Sequence, residues 1–327
     1  MDVAVTGGTG YLGAHCVREL LAGGHRVRLL LAPDAQDAPV LGRLAELGEL
    51  ETICGDIRDG ATVATLLAGS DALLHAAGVV GTDRRRAVLM WQINAHATES
   101  ILTRAAEAGL DPVVSVSSYS ALFPPPDGVI TADSPTAAGR SPYAQTKAYA
   151  DRAARDLQDR GAPVVVTYPS SVVGPAFHTA PGVTERGWAP IVRAGVAPRF
   201  RGGMQMIDVR DVAAVHTALM EPGRGPRRYV CGGTLVAFDD MITVLERGSG
   251  RRILRIPLSQ RMFRSIGWVS DALSGIVALG DGLSYEAALL LTAATPTDDT
   301  ATVTELGVSW RDPLDAIVAS LAVASPG

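Results

Sequence analysis

A tyrosine and a lysine four residues apart are the pair in this sequence best suited to proton transfer. Tyr143 and Lys147 stand in Y-A-Q-T-K, and side chains four residues apart share one face of a helix. An ammonium group beside a phenol favours the phenolate and so lowers the phenol pKa. Moving that pKa from about 10 to about 7 requires about 4 kcal/mol of differential stabilisation. We therefore interpret Tyr143 as a candidate general acid/base near neutral pH.

Two serines, Ser117 and Ser118, follow a short apolar run, Val113–Val116, that is typical of a strand. Ser118 would hydrogen-bond a substrate oxygen and hold it beside Tyr143, while Lys147 would also hold the ribose hydroxyls of a cofactor. The spacing of Tyr143 and Lys147 occurs on many surface helices by itself, so the interpretation depends on the motifs around it.

The start of the chain has the pattern of a strand, a glycine-rich turn and a helix. Asp2–Thr6 is short and apolar, and Tyr11–Leu21 has helical apolar spacing. Gly7, Gly10 and Gly13 would make the turn, let a pyrophosphate approach the backbone, and allow close packing of helix on strand. The helix N-terminus attracts an anion. No Gly-Lys-Ser/Thr follows, which disfavours a P-loop, so a dinucleotide is the expected ligand.

Two downstream motifs fit the same ligand. Asp56, in G-D-I-R-D, could accept a hydrogen bond from an adenine amino group, or it could cap a helix that starts near Gly60. H-A-A-G at His75–Gly78 ends a predicted strand in small residues, as expected where a flat ring and a ribose lie against the backbone.

Short apolar strands alternate with helices over the first half of the chain, which indicates a parallel sheet. We predict an α/β fold, a Rossmann-type doubly wound parallel sheet with a smaller, mainly helical C-terminal substrate lobe. The nucleotide-binding domain would comprise residues 1–169 plus about 204–235, and the lobe about 170–203 plus 236–327. The predicted strands are Asp2–Thr6, Arg26–Leu31, Leu50–Cys54, Ala72–His75, Val113–Val116 and Val164–Thr167, with Met204–Ile207 and Arg227–Val230 extending the sheet and Ile253–Ile256 in the lobe. The predicted helices include Val40–Leu47, Thr62–Leu67, Arg84–Ala108 and Tyr143–Gln158, and Phe238–Leu321 is otherwise helical.

Composition excludes several classes of protein. Of the 327 residues, 47% are hydrophobic and 19% charged, as in ordinary globular proteins, and the net charge of −5 gives no general attraction to nucleic acid or anionic lipid. Cys16, Cys54 and Cys231 are interpreted as buried small hydrophobes in a reducing compartment. No apolar run is long enough to span a membrane. With a strand starting at Asp2, no leader peptide is expected, and we predict a cytoplasmic protein.

In this order, the motifs resemble the extended short-chain dehydrogenases/reductases, grouped as NAD-dependent epimerases/dehydratases, and within them the branch similar to dihydroflavonol reductases and hydroxysteroid dehydrogenases. The resemblance covers nearly the whole chain and rests on T-G-G-T-G-Y-L-G from Thr6, Asp56, H-A-A-G, Asn94 in I-N-A-H-A-T, Ser118, Tyr143, Lys147, P-S-S-V-V-G-P from Pro169 and I-D-V-R-D-V-A from Ile207. It implies that Ser118, Tyr143 and Lys147 are catalytic. It also implies that Asn94 supports the site from the long helix, which it could do through a water relay; the alternative is a polar residue exposed on that helix.

The resemblance also implies the cofactor contacts. These are Gly7, Thr9, Gly10, Tyr11, Leu12, Gly13, Asp56, Ile57, Ala76, Ala77, Gly78, Tyr143, Lys147, Pro169 and Val172. The position that selects between NADP and NAD in relatives is Ala32 here, followed by Pro33 and Asp34. Asp34 could reach the ribose diol of NAD and nothing there pairs with a 2′-phosphate, so NAD is favoured over NADP.

Departures from the family pattern bear on the substrate. Tyr168 stands where relatives have an arginine before Pro169, and Met204 stands where nucleotide-sugar enzymes have the arginine that meets the substrate pyrophosphate. The loss of the arginine at Met204 weakens the case for a nucleotide-sugar substrate and favours a fairly apolar one. The candidate pocket residues are Val80, Tyr119, Phe177, His178, Trp188 and Met204, with Phe123 and Met206 as further apolar side chains.

Some acidic, basic and histidine residues are expected to be structural. Asp208 and Asp211 are better explained as residues of a helix start than as a catalytic pair, and Asp83 can cap the basic run Arg84–Arg86. The histidines are scattered, and we expect no metal site.

Three hypotheses for function follow. The first is hydride transfer between a nicotinamide and a carbonyl or secondary alcohol of a small molecule, with Tyr143 as general acid/base. The second is a nucleotide-sugar epimerase or dehydratase that retains NAD tightly. The third is a non-catalytic protein that senses NAD(P) and regulates a partner. A homodimer through the helices that begin at Arg84 and Tyr143 is possible, because many relatives use these helices.

Overall fold

Parallel strands form the centre of the fold in the computed structural model, which describes residues 1–81, 83–273 and 284–323. In chain order the strands are β1 (Asp2–Thr6), β2 (Arg26–Leu31), β3 (Leu50–Cys54), β4 (Ala72–His75), β5 (Val113–Val116), β6 (Val164–Pro169), β7 (Ser171–Val173), β8 (Val196–Arg199), β9 (Gly203–Asp208), β10 (Arg227–Cys231), β11 (Thr234–Ala237) and β12 (Leu254–Pro257). Seven of them form one sheet in the order β10-β6-β5-β4-β1-β2-β3, with every neighbouring pair parallel. The strand order reverses between β1 and β4, the position at which such folds bind ligands.

The six sequence-predicted strands before Pro169 are confirmed, and so is the Rossmann-type architecture. These strands could be recognised because helices cover both faces of a parallel sheet, so the strands are nearly continuous apolar runs. In β1, Val3 and Val5 face one apolar cluster and Ala4 faces another.

Helices pack on both faces of the large sheet and make up most of the C-terminal lobe. They are α1 (Tyr11–Ala22), α2 (Val40–Ala45), α3 (Gly60–Leu67), α4 (Ala87–Met90), α5 (Thr98–Glu107), α6 (Pro142–Asp159), α7 (Val183–Ala194), α8 (Val209–Ala218), α9 (Phe238–Ser249), α10 (Gln260–Leu273), α11 (Tyr285–Ala293), α12 (Thr300–Leu306) and α13 (Pro313–Val323). Part of the predicted helical stretch Phe238–Leu321, residues 274–283, lies outside the described residues.

Short polar residues determine where several of these helices begin. The Asp59 side chain accepts from the amides of Ala61 and Thr62 and so caps α3, which shows that the capping alternative for Asp56 is wrong. Asp208 caps α8 and pairs with Arg210, as expected of a helix start rather than of a catalytic acid.

The predicted long helix Arg84–Ala108 is a composite of four pieces. A 3₁₀ turn at Arg84–Arg86, capped by Asp83 as predicted, leads into α4, and a π-helical stretch, Trp91–Ala97, separates α4 from α5. π-helical insertions recur at functional sites, and this one contains Asn94.

Two sequence-based expectations about strands and cysteines are wrong. The run predicted at Met204–Ile207 is a strand, β9, but it pairs with β7 and β11 in a separate three-stranded sheet and does not extend the large one. Cys16 and Cys231 are buried, whereas Cys54 is exposed because it ends the edge strand β3.

A third apolar cluster forms the core of the C-terminal lobe. Phe200 stacks between Phe238 and Phe263 with ring centroids 4.7 Å and 4.4 Å apart, and Trp188 packs in the same cluster. The small sheet of β7, β9 and β11 borders this core, and a two-stranded ribbon of β8 and β12 lies beyond it. Within the described ranges, no helix combines the length and the apolar character needed to cross a membrane.

Candidate active site

The glycine-rich turn lies beside the end of β4, at the reversal of strand order. Gly7 has a φ of 77°, and a Cβ built on it would stand 2.5 Å from the Ala77 nitrogen. A Cβ on Gly13 would overlap the Gly7 carbonyl oxygen, so α1 packs tightly on the turn. Gly10 is exposed at the N-cap of α1, where no side chain caps the helix. The exposed helix N-terminus and the tight glycine turn fit a cofactor pyrophosphate.

The histidine of H-A-A-G fixes the wall opposite this turn. His75 Nδ1 lies 2.8 Å from Thr6 Oγ1 at the end of β1, and Nε2 lies 2.8 Å from Thr98 Oγ1 on α5. Burial, together with the nearby Lys147, lowers the His75 pKa to about 3. His75 is therefore a neutral structural bridge, and it leaves Ala77 half-exposed at the crevice.

Asn94 reaches the same wall from the π-helical stretch. Its Oδ1 accepts from the Val79 amide at 2.7 Å, and its Nδ2 donates to the Val79 carbonyl at 2.9 Å and to Thr146 Oγ1 at 3.3 Å. The side chain is 1% exposed, so the alternative of an exposed polar residue is wrong. Both amide protons are used, and Asn94 therefore ties the loop after β4 to α6; the water relay stays a prediction.

Ser118 and Tyr143 meet where the ends of β5 and α6 come together. Ser118 Oγ accepts hydrogen bonds from the Ser120 amide at 3.2 Å and the Ser120 hydroxyl at 3.0 Å, which leaves its own proton to donate. Its hydrogen bond to Tyr143 lowers the phenol pKa, but burial has the larger effect and raises that pKa to about 12. Tyr143 is half-buried.

Lys147 points into the fold from the next turn of α6. Its Nζ donates to the Val116 carbonyl at 3.0 Å, and a Cβ on Gly78 would stand 3.9 Å from that nitrogen. Burial lowers the Lys147 pKa to about 8. A small recess behind the ammonium group is lined by Ser115, Ser117 and Asp151.

The expected effect of Lys147 on Tyr143 is wrong for this state of the protein. The sequence predicted a phenol pKa lowered by the lysine, whereas the pKa is raised, and the influences on it are burial, Ser118, Tyr119 and Glu286. Two facts that spacing could not show explain the difference. Tyr143 is half-buried, and the lysine is held by the Val116 carbonyl.

The amino-acid composition also indicates that Lys147 has a special role, which the motifs alone do not show. Lys147 is the only lysine in the sequence, and the other 28 of the 29 basic residues are arginine. An arginine would stay charged at any working pH, whereas a buried lysine can change its protonation state. A lone lysine at a buried position is thus a candidate for a chemical role.

Glu286, on the C-terminal lobe, was missed by sequence reasoning. Its Oε2 accepts from the Ser141 amide at 2.5 Å, and Ser141 is the N-cap of α6. The neighbouring Tyr285 ring lies under the Arg140 guanidinium at 5.8 Å. The Glu286 charge also raises the Tyr143 pKa. No local pattern could reveal this, because 145 residues separate Glu286 from Ser141.

Replacing Glu286 by glutamine tests this contact. Glu286→Gln keeps an oxygen acceptor for the Ser141 amide but removes the negative charge, so we expect the Tyr143 pKa to fall. The pH profile of any reaction in which Tyr143 accepts a proton should then move to lower pH, because a phenol with a lower pKa gives up its own proton at lower pH. The measurement is the pH dependence of kcat/KM.

Glu286→Ala separates the two effects. It also removes the hydrogen bond, so it should lower the free energy of unfolding by about 1–2 kcal/mol in addition to shifting the pH profile. An unshifted profile in both variants would show that the charge does not act on the reacting phenol.

A buried acid, also missed by sequence reasoning, joins the glycine-rich turn to the loop after β7. Tyr11 Oη lies 2.8 Å from both the Gly174 carbonyl oxygen and Glu185 Oε1, and Glu185 Oε1 accepts from the Gly174 amide at 3.0 Å. Glu185 is 6% exposed, and burial raises its pKa. The Tyr11 hydroxyl therefore takes part in hydrogen bonds that hold this loop against α1.

Asp56 lies just after β3 and forms an ion pair with Arg58. Its carboxylate binds Arg58 at 2.5 Å and accepts from the Arg58 amide, and Arg58 also donates to Gln92 at 2.7 Å. The acid remains partly exposed, and its proposed contact with adenine is compatible with this pairing. The other predicted cofactor residues at this edge, Leu12 and Ile57, are also partly exposed.

The predicted pocket residues lie in different parts of the structure. Tyr119 lies by the candidate catalytic groups, with its hydroxyl 3.3 Å from Ser171 Oγ, and Val80 is 39% exposed after the wall at Gly78. Phe177 instead packs on the outer side of α1, 6.0 Å from the His15 ring and under Arg18 at 5.3 Å. The pocket role of Phe177 stays a prediction.

Of the remaining members of that set, all but His178 lie in or against packed apolar clusters. Trp188, Met206 and Phe123 are buried in apolar clusters, and Met204 is half-buried against the third cluster. Trp188 is therefore a core residue of the C-terminal lobe, and its role in a pocket stays a prediction. His178 is exposed in the loop after β7, with a φ of 51°. Tyr168, at the family's arginine position, is fully buried and donates to Asp151 at 2.5 Å.

The sequence model of the NAD-dependent epimerase/dehydratase family matches residues 3–232. The chain belongs to this family. Among curated relatives, sterol demethylase protein B of Methylococcus capsulatus is 29% identical over 276 residues, which cover 84% of this chain and 82% of the relative. The putative dihydroflavonol 4-reductase of Synechocystis sp. is 29% identical over 254 residues, covering 75% and 72%.

Solved structures confirm the fold. The crystal structure of gox2253 superposes with a TM-score of 0.80 at 24% identity and covers 99% of this chain and 97% of that one. UDP-glucose 4-epimerase from Bifidobacterium longum, in complex with NAD⁺ and UDP, gives a TM-score of 0.75 at 20% identity, covering 98% and 97%. Family membership and these relatives make the chain an NAD(P)-dependent enzyme of the extended short-chain dehydrogenase/reductase type.

Proposed function

We propose that this protein is an NAD-dependent oxidoreductase that interconverts a carbonyl group and a secondary alcohol on a fairly apolar small molecule. The observation that carries the proposal is the meeting of Ser118 and Tyr143 at the end of β5, with Lys147 facing the glycine wall at Gly78. The cofactor contacts predicted from the sequence would line the crevice between the glycine-rich turn and this wall.

Tyr143 moves the proton in this proposal. Its pKa of about 12 keeps the phenol protonated, so Tyr143 Oη can donate to a carbonyl oxygen while Ser118 holds that oxygen. In the reverse direction Tyr143 accepts the alcohol proton, which requires its pKa to fall, as it does beside positive charge. Lys147 would hold the ribose of the cofactor. When bound, the nicotinamide ring gives or takes the hydride.

An apolar substrate is supported by the residue at the position where nucleotide-sugar enzymes carry an arginine. Met204 occupies it and packs half-buried against the third apolar cluster. The names of the relatives, sterol demethylase protein B and putative dihydroflavonol 4-reductase, point the same way.

Nucleotide-sugar epimerisation is the second candidate. UDP-glucose 4-epimerase of Neisseria meningitidis is 30% identical over 163 residues, and several structural neighbours hold NAD with a UDP-sugar. An epimerase would restore its cofactor in each cycle and release none.

Release of free NADH distinguishes the proposed oxidoreductase from a nucleotide-sugar epimerase. The purified protein is incubated with NAD⁺ and a panel of apolar secondary alcohols, and with UDP-sugars, while free NADH and sugar products are measured. Net NADH from an apolar alcohol supports the proposal. UDP-sugar epimerisation without net NADH would overturn it in favour of the second candidate, and cofactor binding without turnover on either panel would favour a sensor.

Cofactor preference gives a sharper prediction. Ala32, Pro33 and Asp34 are exposed after β2 and provide no cation for a 2′-phosphate, so kcat/KM should be higher with NAD than with NADP. Ala32→Arg supplies a charge-assisted contact to that phosphate and should move the NADP/NAD ratio of kcat/KM by about 10- to 100-fold.

The matched control is Ala108→Arg. It makes the same substitution at an exposed position at the end of α5, and it should leave the ratio unchanged. A wild-type preference for NADP, or equal ratios in the two variants, would contradict the proposed NAD specificity.

A further inference from the structure

An arginine-rich segment, residues 247–270, departs from the charge of the rest of the protein. It contains six arginines and no lysine, aspartate or glutamate, although the net charge of the chain is −5. The arginines are Arg247, Arg251, Arg252, Arg255, Arg261 and Arg264. The segment runs from the end of α9 through β12 into α10. Its local charge is therefore opposite to that of the molecule.

Four of these arginines are available to an external partner. Arg255 turns inward to Glu246 at 2.7 Å, and Arg264 donates to Thr292 at 2.6 Å. The other four, Arg247, Arg251, Arg252 and Arg261, are exposed, and none has an acidic partner among residues 1–81, 83–273 and 284–323.

The β8–β12 ribbon exposes several apolar side chains. Leu254 pairs with Val196 and Ile256 with Pro198, and alternation along β12 places Leu254 and Ile256 on the face opposite Arg255. Leu254 is 63% exposed, Ile256 46% and Val196 39%. The outer face of the ribbon is thus apolar and uncovered within the described part of the chain.

Helix α10 continues this surface with an exposed apolar stripe. Met262, Ile266 and Val269 are spaced at i, i+4 and i+7 and are 55%, 42% and 47% exposed, with Trp268 beside them at 64%. The start of α10 is held at the end of the ribbon, because Gln260 donates to the Arg201 carbonyl at 2.7 Å and the Leu258 amide donates to Arg199 at 2.9 Å.

Segments that lie in a membrane interface typically combine exposed apolar side chains with arginine and tryptophan, as this segment does. Aliphatic side chains enter the acyl boundary, arginines meet lipid phosphates, and tryptophan sits at the headgroup level. A symmetric contact between two copies would bring four unpaired cations against four, which disfavours a dimer through this face.

We propose that the arginine-rich segment docks the protein on the surface of an anionic bilayer. The outer face of the ribbon and the stripe on α10 enter the interface, and Arg247, Arg251, Arg252 and Arg261 contact acidic headgroups. The proposal does not depend on the proposed reaction, since binding can be measured without substrate.

Sedimentation with vesicles tests the proposal. The full chain should bind vesicles of phosphatidylcholine mixed with phosphatidylglycerol, bind phosphatidylcholine alone far more weakly, and lose affinity as salt rises. Arg251→Gln with Arg252→Gln should weaken partitioning by about fivefold for each arginine. Trp268→Ser should also weaken it, and both variants should unfold like the wild type because these side chains are exposed.

Arg84→Gln with Arg86→Gln is the matched control. It removes the same charge from another exposed position, beside Val88, which is 71% exposed, and it should leave vesicle binding unchanged. No binding to anionic vesicles at low salt would overturn the proposal, and so would equal losses in both arginine pairs. A concentration-dependent dimer abolished by Trp268→Ser would overturn it by showing that a second copy covers this surface.

Discussion

Tyr143→Phe is expected to lose turnover by a factor of about 10² to 10⁴ while binding the cofactor as the wild type does. The substitution removes only the hydroxyl that, in the proposed function, donates or accepts the reacting proton. It leaves the ring, the helix start capped by Ser141 and the position of Lys147 in place. The measurements are kcat on the substrate that releases NADH, and cofactor affinity by calorimetry or fluorescence.

Tyr149→Phe is the matched control for this variant. Tyr149 lies on the same helix, and its hydroxyl donates to Glu99 at 2.8 Å, away from Ser118. Turnover should stay close to that of the wild type. If Tyr143→Phe kept full activity on the true substrate, the assignment of Tyr143 as general acid/base would be wrong.

Lys147→Met should abolish most turnover and, near pH 7, make the protein more stable. The lysine pKa is about 8 in the fold, against 10.5 for the free side chain. Between these values the unfolded chain binds more protons, so stability rises with pH from about 8 to about 10.5 and is lowest below that window. The lowered pKa means that the charged lysine destabilises the fold by about 3 kcal/mol at pH 7. Lys147→Met removes this cost but also loses the hydrogen bond to Val116, which stabilises the fold by about 1 kcal/mol. We expect a gain of about 2 kcal/mol at pH 7 that disappears by about pH 10.5.

The sequence offers a direct measurement of this pKa. Because Lys147 is the only lysine, labelling with ¹⁵N-lysine gives one side-chain signal, whose titration midpoint should lie near 8. Denaturant unfolding of wild type and Lys147→Met at the two pH values completes the test. A midpoint near 10.5, or a variant destabilised at both pH values, would show that burial does not depress the pKa.

Much of the fold could be predicted because its signals are local. The strands Arg26–Leu31 and Ala72–His75 are short, mostly apolar runs with a polar residue at one end, and their bounds match the structure. The membership of Met204–Ile207 could not be predicted in the same way. An apolar run shows that a strand exists but not its neighbours, and here those neighbours are β7 and β11.

The residues of the candidate site could be predicted from the sequence, but the direction of their pKa shifts could not. Motif order identified Ser118, Tyr143 and Lys147, which the fold brings to one edge of the sheet. The direction of the Tyr143 pKa depends on burial and on Glu286, which is remote in sequence. The same limit applies to Glu185, since only the folded chain shows that Tyr11 is its partner.

The bond from Glu286 to Ser141 has a consequence for how such enzymes can diverge. The family match ends at residue 232, so this carboxylate belongs to a part of the chain that the shared pattern does not describe. Exchanging that part of the chain between relatives would change a charge that raises the Tyr143 pKa. Under the proposed mechanism, one recombination event could then change the working pH of the enzyme.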